Sequence, residues 1–417
     1  MCTVALQSEL KRYLDESETP RSIRGKTHIF PDDLYLAGDQ ELHDSFSATI
    51  ASLCERPKTI NQKAHIASYN DAREQLFFNL ARCLLTRKWL LISGSKSKGR
   101  YDQKNCHLKK SYSRTQTLLS QLKDERLIKE KIGAKFDKGH VENHYFPTKL
   151  LASELIRYAP FVEQPIKPPY LWINQPEEGW KDYKWSASHD DVKDLTLINE
   201  FAKGQSWTLK APIKQTFNRN PFTAGRLTTP FQNLPARSYK IRQNTLINGN
   251  SIAEVDFNAN HLRIFLAFYG KPYLGDDPYI DIANEARVSR DEVKGFMTVA
   301  MNCSSFKEAE GAALGKQVSN QSSKEIYQAF KKLYPKLNLL SGFGVYAMNF
   351  EGVILKNVML EAIKQNIFTL PIHDAVACEA QHAETIKHIM NIEWCKEVSK
   401  FDGIDKISTK TKITIVQ

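Results

Sequence analysis

SIAEVDFNANHLRIFLAF, residues 251–268, decides the fold class. Ile252, Val255 and Phe257 are the β-branched and aromatic residues of a short strand. Asp256 stands near its end, ahead of an apolar-rich helix expected from about Asn258. A second stretch, FTLPIHDAVACE (368–379), is an apolar strand interrupted by His373-Asp374. Burying a carboxylate is costly unless it is paired or metal-bound. Two strands that each present one aspartate therefore fit a two-metal phosphoryl-transfer site, with Asp256 and Asp374 bridging two Mg²⁺ ions roughly 3.5–4 Å apart. Between them in sequence, Ser289 and Glu292 form a capping box that starts a helix at about Arg290. Arg290 and Lys294 are four apart and share a face, which suits a triphosphate and the charge of departing pyrophosphate. Alone, either aspartate would be a turn or cap residue and the two cations a solvated helix face. Their order together is what carries meaning.

That order resembles the family A DNA polymerases and their relatives, the single-subunit phage and mitochondrial RNA polymerases, in reduced and divergent form. TAGRLTTPFQNLPAR (223–237) is similar to the family's TGRLSS…NLQNIPVR segment. The resemblance implies that Arg226, Gln232 and Asn233, with Arg237 close behind, touch the primer–template minor groove. DFNANHLR (256–263) looks like the first catalytic motif, DxSxxxLR, with asparagine where serine is usual. RDEVK (290–294) looks like the RxxxK of the nucleotide-binding fingers helix. In IHDAVACE, His373, Asp374 and Glu379 keep the spacing of the last motif, and the resemblance implies that His373 is a further primer–template residue. Phe350-Glu351-Gly352 is similar to the Gln-Gly that opens the preceding helix, of about 15 residues. The resemblance further implies metal ligation by Asp256, Asp374 and the Phe257 backbone, and nucleotide binding by Arg290, Lys294, His261, Thr298, Met301 and Asn302. It spans about residues 216–379.

Departures from the pattern carry information too. Ala375 follows Asp374 where the DNA polymerases have glutamate and the RNA polymerases serine. Eight residues past Lys294, where the family places a base-stacking tyrosine, stands Asn302; one deletion would put Met301 there instead. His261 occupies the position of the glutamate that excludes the ribose 2′-hydroxyl. It is bulky enough to act as a gate and able to hydrogen-bond a hydroxyl, so both sugars stay open, with deoxynucleotides favoured. Asp256 and Asp374 are 118 positions apart, which implies abbreviated fingers, and no segment suits a proofreading exonuclease.

The N-terminal half is read from charge. Net charge is +11, and residues 87–149 hold 16 Lys+Arg against 6 Asp+Glu, so nearly all the excess lies there. Such a patch is the footprint of a phosphate-backbone binder. A helix capped by Ser111 or Ser113 and running to about Leu127, with Leu118, Leu119 and Leu122 inward, precedes two β-prone runs joined by Asp137-Lys138-Gly139. This pattern resembles a winged helix; Lys109, Lys110, Arg114, Lys123, Lys135 and Lys138 are its candidate duplex contacts. A cap packed on the catalytic domain is the other reading. Residues 1–70 look helical in pieces, with Gln40–Leu53 one helix, and a further helix is expected over 71–91. Five of the 17 prolines fall between Pro160 and Pro176, which suggests an extended linker over 160–179.

The expectation is an α+β protein in which residues 71–159 form a winged-helix-like domain. Residues 180–417 form a right-hand polymerase palm with reduced fingers and a thumb-like piece at 180–215. The expected activity is DNA-directed DNA polymerisation with Mg²⁺ (Mn²⁺ substituting), acting on primer–template, duplex DNA and nucleoside triphosphates, as in replication of a mobile element. The rivals are a primase or RNA polymerase, and an inactive polymerase fold serving as a replication initiator. Seven cysteines without a CxxC pair, no run of 18 apolar residues and a charged N-terminus point to a reduced, cytoplasmic protein without a membrane partner.

Overall fold

The computed structural model describes residues 4–16, 27–29, 33–93, 112–135, 141–236, 239–401 and 411–416. In the N-terminal half the elements are α1 (Val4–Glu16), β1 (Thr27–Ile29), β2 (Tyr35–Leu36), α2 (Gln40–Leu53), α3 (Lys63–Thr86), β3 (Trp89–Ser93), α4 (Tyr112–Asp124), β4 (Ile128–Lys135), β5 (Val141–Pro147), α5 (Lys149–Leu155) and β6 (Val162–Glu163). There follow β7 (Leu171–Asn174), α6 (Asp190–Lys203), β8 (Lys214–Asn218), β9 (Asn220–Thr228), β10 (Leu246–Ile247), β11 (Asn250–Phe257), α7 (Asn260–Phe268) and α8 (Pro278–Ala286). The chain ends with α9 (Arg290–Ala300), α10 (Phe306–Leu314), α11 (Asn320–Leu333), α12 (Gly344–Lys364), β12 (Thr369–Ile372), β13 (Ala375–Glu379), α13 (Ala383–Val398) and β14 (Ile413–Val416). The fold is mixed α+β, as expected. No helix among the described residues is long and apolar enough to cross a membrane.

The chain divides into two compact units that interleave in sequence. The first holds Met1–Ile166, Ser206–Pro212 and Pro230–Ser251, and the second Lys167–Gln205, Ile213–Thr229 and Ile252–Gln417. The 160–179 stretch is therefore not a free tether. Pro160 and Val162 are buried in the first unit and Tyr170 and Leu171 in the second, with the crossover at residue 166. Nor do residues 180–215 form one thumb-like piece, since α6 belongs to the second unit and 206–212 to the first.

In the first unit α3 is the central helix, burying Leu76, Phe77, Leu80 and Leu84 almost completely. It begins at Lys63 and stops at Thr86, not over 71–91. Arg87, at φ 54°, turns the chain out of the helix, and the Trp-Leu-Leu-Ile run that follows pairs as strand β3. A four-stranded sheet orders as β1-β3-β5-β4, with β1 parallel to β3 and the other pairs antiparallel. Helix α4, which packs on α3 and β4, buries Leu118, Leu119 and Leu122, the face expected from their spacing. Lys109, Lys110, Ser111, Arg237 and the 137–139 turn with Lys138 lie outside the described residues, as does the side chain of Lys135.

In the second unit β11 is flanked by β13 and β14, with β12 outside β13, all antiparallel. The apolar run after Asp256 becomes α7, whose Leu262, Ile264, Phe265 and Leu266 have no exposure. Helix α12 is the long brace of this unit. Its Lys356, 5% exposed, pairs with Asp191 and Asp194 of α6. Glu351-Gly352, expected to open this helix, sit at its middle: α12 begins at Gly344. A glycine within a helix is costly. Here it is required, because a Cβ on Gly352 would overlap the carbonyl oxygen of Gly225 in β9.

Candidate active site

Strand register places the two aspartates side by side. Asp256 pairs across the sheet with Ala375, and Asp374 is the residue immediately before Ala375. His373-Asp374 is the two-residue turn between β12 and β13, with Ile372 paired to Ala375. His373 takes a φ of 55°, a conformation that tight hairpins demand and most side chains avoid. The Phe257 N–H faces the Asp374 carbonyl at 3.5 Å, which closes this corner. The sequence expectation of one strand interrupted by His373-Asp374 thus resolves into a hairpin.

The electrostatics of the pair are unfavourable as it stands. Burial, and then the neighbouring Asp374, push the Asp256 carboxyl up to about 7, while Lys294 pulls it down. Burial and then Glu351 raise Asp374, opposed by His261 and Arg226. The Asp256 Oδ1 is buried with no hydrogen-bond partner, and Glu254, two residues back on the same face of β11, adds to the negative potential. Among the described residues no group of three or more His, Cys, Asp and Glu side chains is placed to hold a metal ion. Asp256 and Asp374 are the carboxylates that could share a cation.

A raised carboxyl pKa has a definite sign for stability. With a folded value near 7 and an ordinary value of 3.8, the stabilising proton is fully present below about pH 4 and lost as pH rises through 7. In EDTA the parent is expected to lose melting temperature between pH 5 and pH 8. Asp256→Asn should remove that loss and melt higher than the parent at pH 8, by about 2–4 °C for each kcal/mol relieved. Scanning fluorimetry of both proteins decides this, and equal melting curves at pH 8 would refute the repulsion.

Beside the pair lies a cluster that the sequence did not announce. Glu351 is completely buried. It accepts from Arg226 Nε at 2.7 Å, pairs with His261 Nε2 at 2.9 Å, and accepts from Asn260 Nδ2 at 3.4 Å. Burial pushes its carboxyl up, but His261 and Arg226 outweigh that and the net direction is down. Arg226 and His261, expected as a minor-groove contact and a sugar gate, thus share one buried partner and meet at 3.2 Å. Removing one member of such a buried cluster typically costs about 3–5 kcal/mol. The available signal was a lone carboxylate within the apolar run FEGVILKNVML.

The α9 capping box is present as expected, with Ser289 and Glu292 exchanging bonds. Lys294 is exposed and acts on Asp256. Arg290 is not on an open face: its Nε donates to the buried Asp277 at 2.7 Å. Asp277 also caps α8 and accepts from Asn258 Nδ2 at 3.4 Å, so Arg290 is tethered to the end of the Asp256 strand. Arg263 is an internal brace, donating to the carbonyls of Asn258, Tyr273, Gly275 and Asp276.

Met301, 1% exposed, is core rather than a stacking surface. Thr298 turns its hydroxyl back to the Lys294 carbonyl, and Asn302 donates to Thr298 O at 3.0 Å. His373 is exposed at the turn. Gln232 and Asn233 belong to the first unit, where Asn233 Oδ1 accepts from Lys88 at 2.8 Å. Arg114 is half-buried on α4, and Lys123 pairs with Glu130 at 3.1 Å.

No protein-family model matches the chain, and no curated protein matches its sequence.

Proposed function

We propose that this chain is a template-directed nucleotidyltransferase, a DNA-directed DNA polymerase with a reduced family A-type palm. The observation that carries the reading is Asp256 on β11 beside Asp374 in the β12–β13 turn, with an orphaned buried carboxylate oxygen on Asp256. Mg²⁺ is commonly held by one or two carboxylates together with substrate phosphates, and these two residues fit that role. When bound, the ions would activate the primer hydroxyl and stabilise the pyrophosphate charge.

The protein's own groups then have separable tasks. Lys294 is the cation placed to draw the triphosphate toward Asp256. Asp277 fixes Arg290 and with it the α9 face. His261, held through Nε2 by Glu351, has a set orientation from which to meet the sugar. The first unit supports duplex binding: α3, β3, α4 and the β4–β5 hairpin follow one another, with β3 paired to β5. That is the order of a winged helix, in which α4 would enter the major groove and the hairpin follow phosphates.

Extension of a labelled primer on a defined template, with deoxynucleotides or ribonucleotides and Mg²⁺, tests the reading. Template-dependent products are expected with deoxynucleotides. Primer-free RNA products would instead favour a primase, and no product of either kind would sink the activity. In the same assay Lys294→Ala is expected to lower kcat/KM for the triphosphate on the order of 10²-fold. A normal response to nucleotide concentration would reduce Lys294 to a solvated surface residue.

A further inference from the structure

We propose that Lys88, with Arg87 and Arg242, forms a phosphodiester-binding site in the first unit, where the end of α3 meets the 230–245 segment. The inference rests on the nucleic-acid reading above and adds residues and a ligand group to it.

Lys88 is half-buried between α3 and β3. Its Nζ reaches one acceptor among the described residues, Asn233 Oδ1 at 2.8 Å, although an ammonium carries three donors. Burial pushes the ammonium down, and the group that acts against this is the Cys83 thiol, not a carboxylate. The Arg87 guanidinium next to it is also lowered by burial, with Tyr239 opposing. For Lys88, a desolvated ammonium that reaches one amide oxygen is a standing cost, and an anion arriving from solvent removes it.

The surroundings say which anion. Arg242 Nη1 donates to the Gln232 carbonyl at 3.0 Å, so the turn bearing Gln232 and Asn233 is held from two sides by cations. Arg87 stands 5.9 Å from the Phe146 ring and Lys131 4.9 Å from the Trp89 ring, the two rings being 5.7 Å apart. Positive charge thus continues from this turn onto the β3–β5–β4 sheet. Amide side chains able to read base edges, beside cations spaced along a sheet, match a nucleic-acid strand better than an isolated phosphate.

The test is salt-dependent binding of the full-length chain to a fluorescein-labelled primer–template duplex. Lys88→Gln is expected to make the log–log salt slope shallower by about 0.9, the value of one lost phosphate contact. Lys88→Arg should retain the parental slope. Arg87→Gln provides a second, independent change of the same size, and melting curves establish that each variant is folded. Parental affinity and slope in both glutamine variants overturn the proposal. So does weaker binding at unchanged slope, because Lys88 would then only hold Asn233 in place. If the parent chain binds no duplex, the nucleic-acid reading fails and takes this site with it.

Discussion

Asp256→Ala and Asp374→Ala are each expected to lower nucleotide incorporation by at least about 10³-fold, while affinity for a primer–template duplex stays near the parental value. The reason lies in the sheet. Asp256 is the cross-strand partner of Ala375 and Asp374 is the residue before Ala375, so neither can take over the other's position. Folding should survive, because burial already raises both carboxyls, with Asp374 adding to it at Asp256 and Glu351 at Asp374, so truncating either removes a buried charge that the fold holds at a cost. The double variant should be little worse than either single one, since groups acting as a unit are strongly non-additive. Single-turnover primer extension measures the loss, and a duplex-binding titration on the same preparations separates it from a binding defect. Incorporation within a few-fold of the parent by either variant would remove the pair from the chemistry.

Local signals were legible in the sequence, and tertiary ones were not. The lone aspartate at the end of a β-branched strand, the Ser289–Glu292 box and the leucine spacing of α4 are each written within a few residues, and each forms where expected. Helix α3 runs differently because Leu90 and Leu91 continue an apolar pattern that only the left-handed turn at Arg87 breaks. Arg290 looked exposed because Asp277, 13 residues upstream, gives no periodic sign of its contact. Gly352 looked like a helix start only because Phe350-Glu351-Gly352 resembles a Gln-Gly that opens a helix; the cause of its place at mid-helix is a β9 carbonyl more than a hundred positions away. The interleaving of 206–212 and 230–251 into the first unit is likewise set by tertiary packing and not by any local signal in those segments.

Gly352→Ala is expected to be the most disruptive small substitution in the second unit. The added methyl would meet the Gly225 carbonyl oxygen, backbone against backbone, so no side-chain rotation can make room. Gly225 cannot yield easily, since its φ is 78°, Phe217 and Asn349 crowd the space where a Cβ would stand, and its carbonyl accepts from the buried Gln215 at 2.9 Å. Overpacking of this kind costs about 1–3 kcal/mol or more, a fall on the order of 2–12 °C in melting temperature. The strain should also reach the site, because Glu351 is the adjacent residue and any shift of α12 from β9 stretches its bonds to Arg226 and His261. Primer extension is therefore expected to fall even at temperatures where the variant remains folded. Gly311→Ala supplies the comparison: it is also within a helix, exposed on α10, with nothing within 4 Å of the new Cβ. There the change should raise stability by about 0.5–1 kcal/mol and leave extension untouched. If the two variants melt alike, α12 does not approach β9 at Gly225, and the placement of Glu351 between Arg226 and His261 loses its structural basis.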